Sequence, residues 1–595
     1  MFQLKGEKMD KKIEIKDYEV VVIGGGMAGV CSAIASARHG AKTALINNRP
    51  VLGGNASSEI RMHICGADYH GFRQNARETG IIEEILLDNK RVNRSHSFSI
   101  LDTILWEKTR FQENLDLYLN THITSLTKKE DKIIKVIGEQ LTSEKAFELN
   151  GQIFIDATGD GTIAYLAGAE YMSGREGKEK FGEKFAPDKP DNHTMGNTLL
   201  FTAVDIGKKV EFIKPEWANT YREEDLAYRE HHEINSGYWW IEIGGDNLDV
   251  IQDGETIRDE LLKAVYGVWD HIKNSGHHNA DNFALDWVGF LPGKRESRRI
   301  VGDYVLKEQD LFEGKIFDDA IAYGGWPMDM HTVGGIRTRR EPNDFIMMED
   351  LYTIPYRSIY SKNISNLMMA GRDISASHMA FGSTRVMATC AVIGQASGTA
   401  AAMCIDKKVS PRGLKEHVHE LQQKLLKEDC FIPGFKNEDK NDLALTSNIS
   451  ASSFIQNYEP SNVVNGYPRT VKDQTNAWIA DSSDNAPWID LAFNNKISPK
   501  EVRIKFDSNL SREIMVSLTH SVRNRQQEGT PIELVRDYDI EFYNDETLVE
   551  TKKVRDNHRR LSCTKVDNIN CNRIRVKPLS TWGAERICIY EIRVY

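Results

Sequence analysis

No Cys-x-x-Cys pair occurs in this chain of 595 residues, although it carries eight cysteines. They are scattered as Cys31, Cys65, Cys390, Cys404, Cys430, Cys563, Cys571 and Cys588. No His/Cys group falls at zinc-finger spacing. These absences argue against a local metal knuckle and a dithiol redox motif, so no metal is expected and the thiols read as reduced and mostly buried. Nor does any run reach the roughly 18 apolar residues that a membrane span needs. An excess of positive charge is also missing, since 76 Lys+Arg against 87 Asp+Glu leave a net charge of −11. Neither a nucleic acid nor a membrane is therefore expected as a partner. The opening MFQLKGEKMDKKIEIKD lacks an apolar signal core. As it stands the chain reads as cytoplasmic, or as periplasmic had a signal peptide been removed.

What is present is ordinary for a globular protein, with 40% hydrophobic and 27% charged residues. The length calls for two to four domains. YEVVVI at 18–23 is a short apolar run suited to a strand buried on both faces, and GGGMAG follows at once. Gly24, Gly26 and Gly29 thus stand at a strand-to-helix turn, with Met27 and Ala28 opening a small-residue helix that ends near Gly40. A second strand, AKTALIN, follows. In that setting Gly24 makes the turn, Gly26 admits a pyrophosphate, Gly29 permits close helix–strand contact, and the helix N-terminus faces the phosphates. The acidic residue expected at the end of the second strand is missing, and Asn47 and Asn48 take its place. An amide accepts a ribose hydrogen bond without charge assistance, so the adenosine end should be held less tightly or by another residue.

After Asn48 the chain enters a long glycine-rich loop that carries Arg49, Gly53, Gly54, Asn55, His63 and Cys65. A buried strand ends much later in Ala157-Thr158-Gly159, and another runs into Gly371-Arg372-Asp373. CAVIGQASGTAAAMC at 390–404 reads as a helix of small residues, preceded by His378 and Arg385. This order resembles the FAD-dependent oxidoreductases of the glutathione-reductase-like class. RPVLGGNASSEIRMHI, LPGKRESRRIVGDYVL, GGWPMDMH and FGSTRVMATCAVIGQASGTAAA further resemble blocks of a family of bacterial FAD-dependent oxidoreductases, over roughly residues 15–410. The resemblance implies FAD, bound non-covalently, with its diphosphate at Gly24–Gly29. It also implies that the last helix aims its N-terminus at the isoalloxazine, which would lie against Gly394, Ser397, Gly398 and Thr399.

The expected fold is α/β: an FAD-binding Rossmann-like domain, an inserted α+β substrate domain and a C-terminal all-β jelly-roll sandwich. The flavin domain is assigned to 14–175 and 355–434, the insertion to 176–354, an exposed polar linker to 435–444 and the sandwich to 445–595. The last segment, with ASS…NVVNGY…PWIDLAF…EIRVY, resembles a discoidin-type, galactose-binding-like domain. Within the family-like blocks the chemistry-bearing residues are His331 with Asp329, Arg298, His378 and His63. His331 reads as the base for a hydroxyl proton, oriented by Asp329, with Arg298 on a substrate oxygen and His63 as next in line. The leading function is hydride transfer between flavin and a hydroxyl-bearing carbon of a sugar-like small molecule. A redox-neutral, flavin-assisted carbohydrate lyase or glycosidase is the alternative, and a non-catalytic glycan-binding flavoprotein a third. The electron acceptor and the formation of a homo-oligomer stay open.

Overall fold

Val20–Ile23, Thr43–Ile46 and Ile153–Asp156 are each buried along their whole length, as strands covered on both faces must be. In the computed structural model, which describes residues 13–595, they form the centre of a five-stranded parallel sheet. Its order is Leu367–Met369, Ile153–Asp156, Val20–Ile23, Thr43–Ile46, Leu115–Tyr118. The helix Met27–Arg38 follows the first strand, and all but its last residue are buried. Beside this sheet stands a second one of four strands, Ile13–Asp17, Lys145–Asn150, Lys132–Gln140 and Thr121–Lys129, which the sequence reading did not distinguish.

Met387–Lys407 is the other interior helix. By length and composition it is apolar enough to cross a membrane, with mean hydropathy 1.4, yet 94% of that window is buried inside the protein. Small residues rather than large apolar ones make up the run, so no long stretch of large apolar residues marks it in the sequence. Its glycines explain its place. A Cβ on Gly394 would stand 2.1 Å from the Ala28 carbonyl oxygen, and one on Gly398 would stand 2.0 Å from that of Ser32. The two helices therefore pack backbone to backbone, and only glycine fits at the contact.

The insertion has its own core around the helix Gly254–Asn274, whose Ile257, Leu261, Val265, Val268, Trp269 and Ile272 are all buried. These are the positions that the helical period marks as the apolar face. From about 448 the chain forms two antiparallel sheets of five and four strands, a sandwich as expected.

The joint between the sandwich and the rest departs from expectation. Residues 435–444 do not form an exposed linker: Asn437 and Asp442 are buried and bond to each other at 2.8 Å, and Asp442 accepts from the Val594 amide. The sandwich is not an independent module either. Arg469 donates to the carbonyls of Asn75 and Arg77, Lys505 to that of Leu426, and Arg560 pairs with Asp429 at 3.1 Å. Arg469, Lys505 and Arg560 are each 1% exposed. Charges so deeply buried hold their state only while paired, which ties the two parts together.

Candidate active site

Two cavities meet inside the flavin-type half. The first, about 310 Å³, runs over the glycine turn, from Asn48 and Arg49 past Gly24–Ala28, Gly53–Asn55 and Ala157–Asp160 to Gly371 and Arg372. Its floor is built by sterics. Gly24 has φ +110°, and a Cβ there would meet the Ala157 carbonyl at 2.2 Å, while a Cβ on Gly29 would strike that of Gly24 at 1.8 Å. Around Gly26 no atom lies within 4 Å of an added Cβ, so the groove approaches that backbone. Gly26 is also the N-cap of the first helix, with no side chain capping it and no acid in the first turn. Its free N–H groups and positive dipole end make an anion seat.

The second cavity is a chamber of about 650 Å³. It shares Asn55, Lys294, Arg372, Arg385 and Met387 with the groove, so the two spaces are continuous there. Arg372 Nη1 and Arg385 Nε are buried at this junction without a hydrogen-bond partner. Buried guanidinium nitrogens without acceptors are costly. A cofactor with carbonyl, ring-nitrogen and phosphate acceptors laid through the groove would satisfy them. The open backbone at Gly26, the helix end and these donors all fit FAD.

The chamber is walled by Trp239, Trp326, Tyr69, Phe72 and Phe345, with charged groups between them. On one side stand His63, Cys65 and His70. Burial would raise the Cys65 thiol, but His63 and His70 outweigh it and bring its pKa to about 6. His70 Nδ1 lies 2.6 Å from Glu513 of the sandwich. Burial disfavours the His70 cation, yet Cys65 and Glu513 carry its pKa up to about 10. Arg525, also from the sandwich, lines the chamber and holds Glu513 at 2.6 Å. A thiolate–imidazolium pair thus faces the chamber at neutral pH.

His331 and Asp329 are indeed on one strand, Met328–His331, at the chamber wall. Their arrangement does not suit the expected role. His331 Nδ1 bonds Glu242 at 2.6 Å and Nε2 bonds Asp329 at 3.2 Å, so both ring nitrogens are occupied by carboxylates. No lone pair is left to take a substrate proton, and the base assignment to His331 is corrected on that ground. Burial opposes the Asp329 charge, but His331, Arg385 and Asn343 hold its carboxyl well below the usual range. Asp329 is therefore an anion in the chamber wall, anchored to Arg385 at 2.7 Å.

Other assignments also change. Arg298 lies outside both cavities, its guanidinium 4.1 Å from the Tyr165 ring centre. The arginine of that run which reaches the chamber is Arg295, held by Thr198, the Trp239 carbonyl and Glu242. His378 is buried, bonded through Nδ1 to Glu296 at 2.9 Å, and reaches neither cavity. Asp373 is buried as well, its carboxyl raised by burial first and by neighbouring Asp156 next, and it stays off the groove wall. Gly394, Ser397, Gly398 and Thr399 line neither cavity, and the two glycines are spent on helix packing. The helix end that does reach the junction is seven residues earlier, at Val386 and Met387.

Asn47 lines the groove, but its Oδ1 accepts from Gly25 at 3.1 Å and its Nδ2 donates to the Val51 carbonyl at 2.8 Å. It braces the glycine turn rather than reaching for a ribose. Glu242, His70, Glu513 and Arg525 were not singled out from sequence. His70 alone left a signal, in the glycine loop seven residues after His63.

No curated protein matches the chain. Among solved structures it is similar to a fucose binding module of Streptococcus pneumoniae, at 15% identity over 26% of this chain and 96% of that one, with TM-score 0.20. It is also similar to the family 32 CBM of C. perfringens NanJ in complex with galactose, at 16% identity, 25% and 94% coverage and TM-score 0.19. A third is chitosan-binding module 2 of a Paenibacillus sp. IK-5 chitosanase/glucanase in complex with chitotriose, at 16% identity, 26% and 99% coverage and TM-score 0.20. Residues 19–425, well over half of the chain, match the family model described as FAD dependent oxidoreductase. That span holds the whole groove and all of the chamber except Arg525, and the chain belongs to the FAD-dependent oxidoreductase family.

Proposed function

We propose that this enzyme oxidises a hydroxyl-bearing carbon of a sugar-like small molecule held in the chamber. The observation that carries the reading is the continuity of groove and chamber through Asn55, Lys294, Arg372, Arg385 and Met387. FAD, when bound, supplies an acceptor for the hydride that leaves such a carbon. The chain's own part is to seat the diphosphate on the first helix end, to offer Arg372 and Arg385 at the junction, and to take the hydroxyl proton. His63 is our choice for taking the hydroxyl proton on a ring nitrogen, with Cys65 beside it. A volume of about 650 Å³ suits a mono- or disaccharide. Aromatic walls can cover apolar sugar faces, while Asp329 and Arg295 offer an acceptor and a donor for hydroxyls.

Anaerobic mixing of the yellow protein with a panel of mono- and oligosaccharides tests this directly. Bleaching of the flavin band with formation of a carbonyl product supports the proposal. Turnover to an eliminated or hydrolysed sugar with no net oxidation would replace it by the redox-neutral reading. Bleaching by none of the panel, in protein that dithionite still reduces, would remove the sugar assignment.

A further inference from the structure

Elsewhere in the insertion, three histidines and a glutamate converge. Glu223 stands on a short turn of helix, His231 in the loop that follows, His271 in the last turn of Gly254–Asn274, and His278 in the loop beyond it. One ligand atom from each lies within 4.8 Å of all the others. His271 Nε2 is 3.0 Å from Glu223 Oε2 and 3.2 Å from His278 Nε2. His231 Nε2 is 3.6 Å from Glu223 Oε1, and His278 Nε2 is 3.9 Å from Glu223 Oε2. A tetrahedron with metal–ligand bonds of about 2.0–2.1 Å has edges of about 3.3–3.4 Å. The observed separations scatter around that edge.

Proton accounting points the same way. His231 Nδ1 bonds the Arg229 carbonyl, which only a donor can do. In the neutral imidazole that leaves the lone pair on Nε2, which is buried without a hydrogen-bond partner in a residue 3% exposed. A backbone carbonyl on Nδ1 with Nε2 turned inward is how ligating histidines are commonly held. His271 and His278 bring their Nε2 atoms to the same point, and their side chains are 3% and 6% exposed. Glu223 closes the set from the solvent side with a side chain 61% exposed, which leaves an ion a way in.

We propose that Glu223, His231, His271 and His278 form a binding site for a divalent first-row transition ion of the zinc class. Nitrogen-rich, borderline ligands favour such an ion over magnesium or calcium, which take oxygen. With four protein ligands the site is structural. It clamps the long helix of the insertion to the loop before it. That loop continues into the chamber roof: Tyr238 donates to the His231 carbonyl at 3.1 Å and Trp240 to that of Glu230 at 2.9 Å, next to Trp239 and Glu242. The histidines come from separate stretches of chain, so no metal spacing is visible in the sequence, and the expectation of no metal is revised here.

Full-length flavoprotein, stripped with a strong chelator and titrated with zinc or cobalt, tests the site. Expected are one equivalent of zinc per chain by elemental analysis after gel filtration, and the visible bands of tetrahedral cobalt on substitution. His278→Ala should abolish stoichiometric binding. Glu223→Gln, at a largely exposed position that folding tolerates, should weaken it by at least about 10-fold. The flavin spectrum reports folding independently and should be unchanged in Glu223→Gln. Wild-type protein that retains no stoichiometric ion would overturn the proposal. Binding equally strong in Glu223→Gln and His278→Ala would do so too, as would an ion lost only with Cys65→Ser, since that would put the metal at His63, Cys65 and His70 instead.

Discussion

His331 and His63 face the same chamber, yet their chemical freedom is opposite. His331 is clamped between Glu242 and Asp329 with a side chain 3% exposed, so it serves as a fixed rivet between two walls. His63 stands beside a low-pKa thiol and within ring contact of His70, at 5.3 Å between centres. An acidic neighbour orients a histidine for catalysis only while the other nitrogen stays open. Two acidic neighbours turn it into a structural part.

That contrast can be broken most directly by exchanging the two histidines for alanine. His63→Ala should slow flavin reduction by substrate by about 100- to 10,000-fold while leaving the flavin spectrum and the melting midpoint nearly unchanged. Stopped-flow absorbance measures the first and thermal scanning the second. Equal slowing in both variants with no loss of stability in either would erase the distinction.

Glu242→Ala addresses the rivet itself. It leaves the buried Arg295 without its carboxylate and His331 with one partner, so folding should lose about 3–5 kcal/mol, read as a drop in the denaturant midpoint. The pH dependence sharpens this. The Glu242 carboxyl is held low against its burial by Arg295 and His331, and that of Asp329 by His331 and Arg385. Their contribution is complete above the unfolded carboxylate pKa of about 4 and is lost as pH falls through the lower folded values. The variant should therefore converge on wild type in acid. A stability gap that grows on acidification would contradict the arrangement.

A smaller effect belongs to the thiol. Alkylation of Cys65 should rise with pH through about 6, where its thiolate forms. In Glu513→Gln the His70 cation loses its support, so the midpoint should move upward. An unchanged midpoint would sever the sandwich from the chamber chemistry. Arg298→Ala should do least. It removes a contact with the Tyr165 ring, worth about 1 kcal/mol or less, and one hydrogen bond to the Asp160 carbonyl, and substrate reduction should proceed at the wild-type rate.

How much could be read in advance follows the path of the chain. The groove is made by short contiguous stretches, because strand, glycine turn and helix must follow one another to seat a phosphate, and so Gly24, Gly26 and Gly29 were legible. The chamber brings residues 55–72 together with 239, 293–295, 326–345, 385–387 and 525. Nothing local records that meeting. Gly394 and Gly398 show the limit of a correct observation: small residues do mark a close approach, but the partner is the backbone of the first helix rather than a ligand. Asp329 and His331 were placed on one strand face correctly, whereas Glu242, which decides what His331 can do, lies 89 residues away in the chain. The polar composition of 435–444 suited a linker, and burial of Asn437 and Asp442 in mutual hydrogen bonds reversed that reading.

The docking of the sandwich also has a consequence in time. Glu513 and Arg525 leave the ribosome after every residue of the groove, whose last lining residue is Cys390. Until they emerge the chamber is unfinished, with His70 lacking its counter-ion and the place of Arg525 in the wall open. The order of synthesis therefore places every groove residue ahead of the residues that complete the chamber.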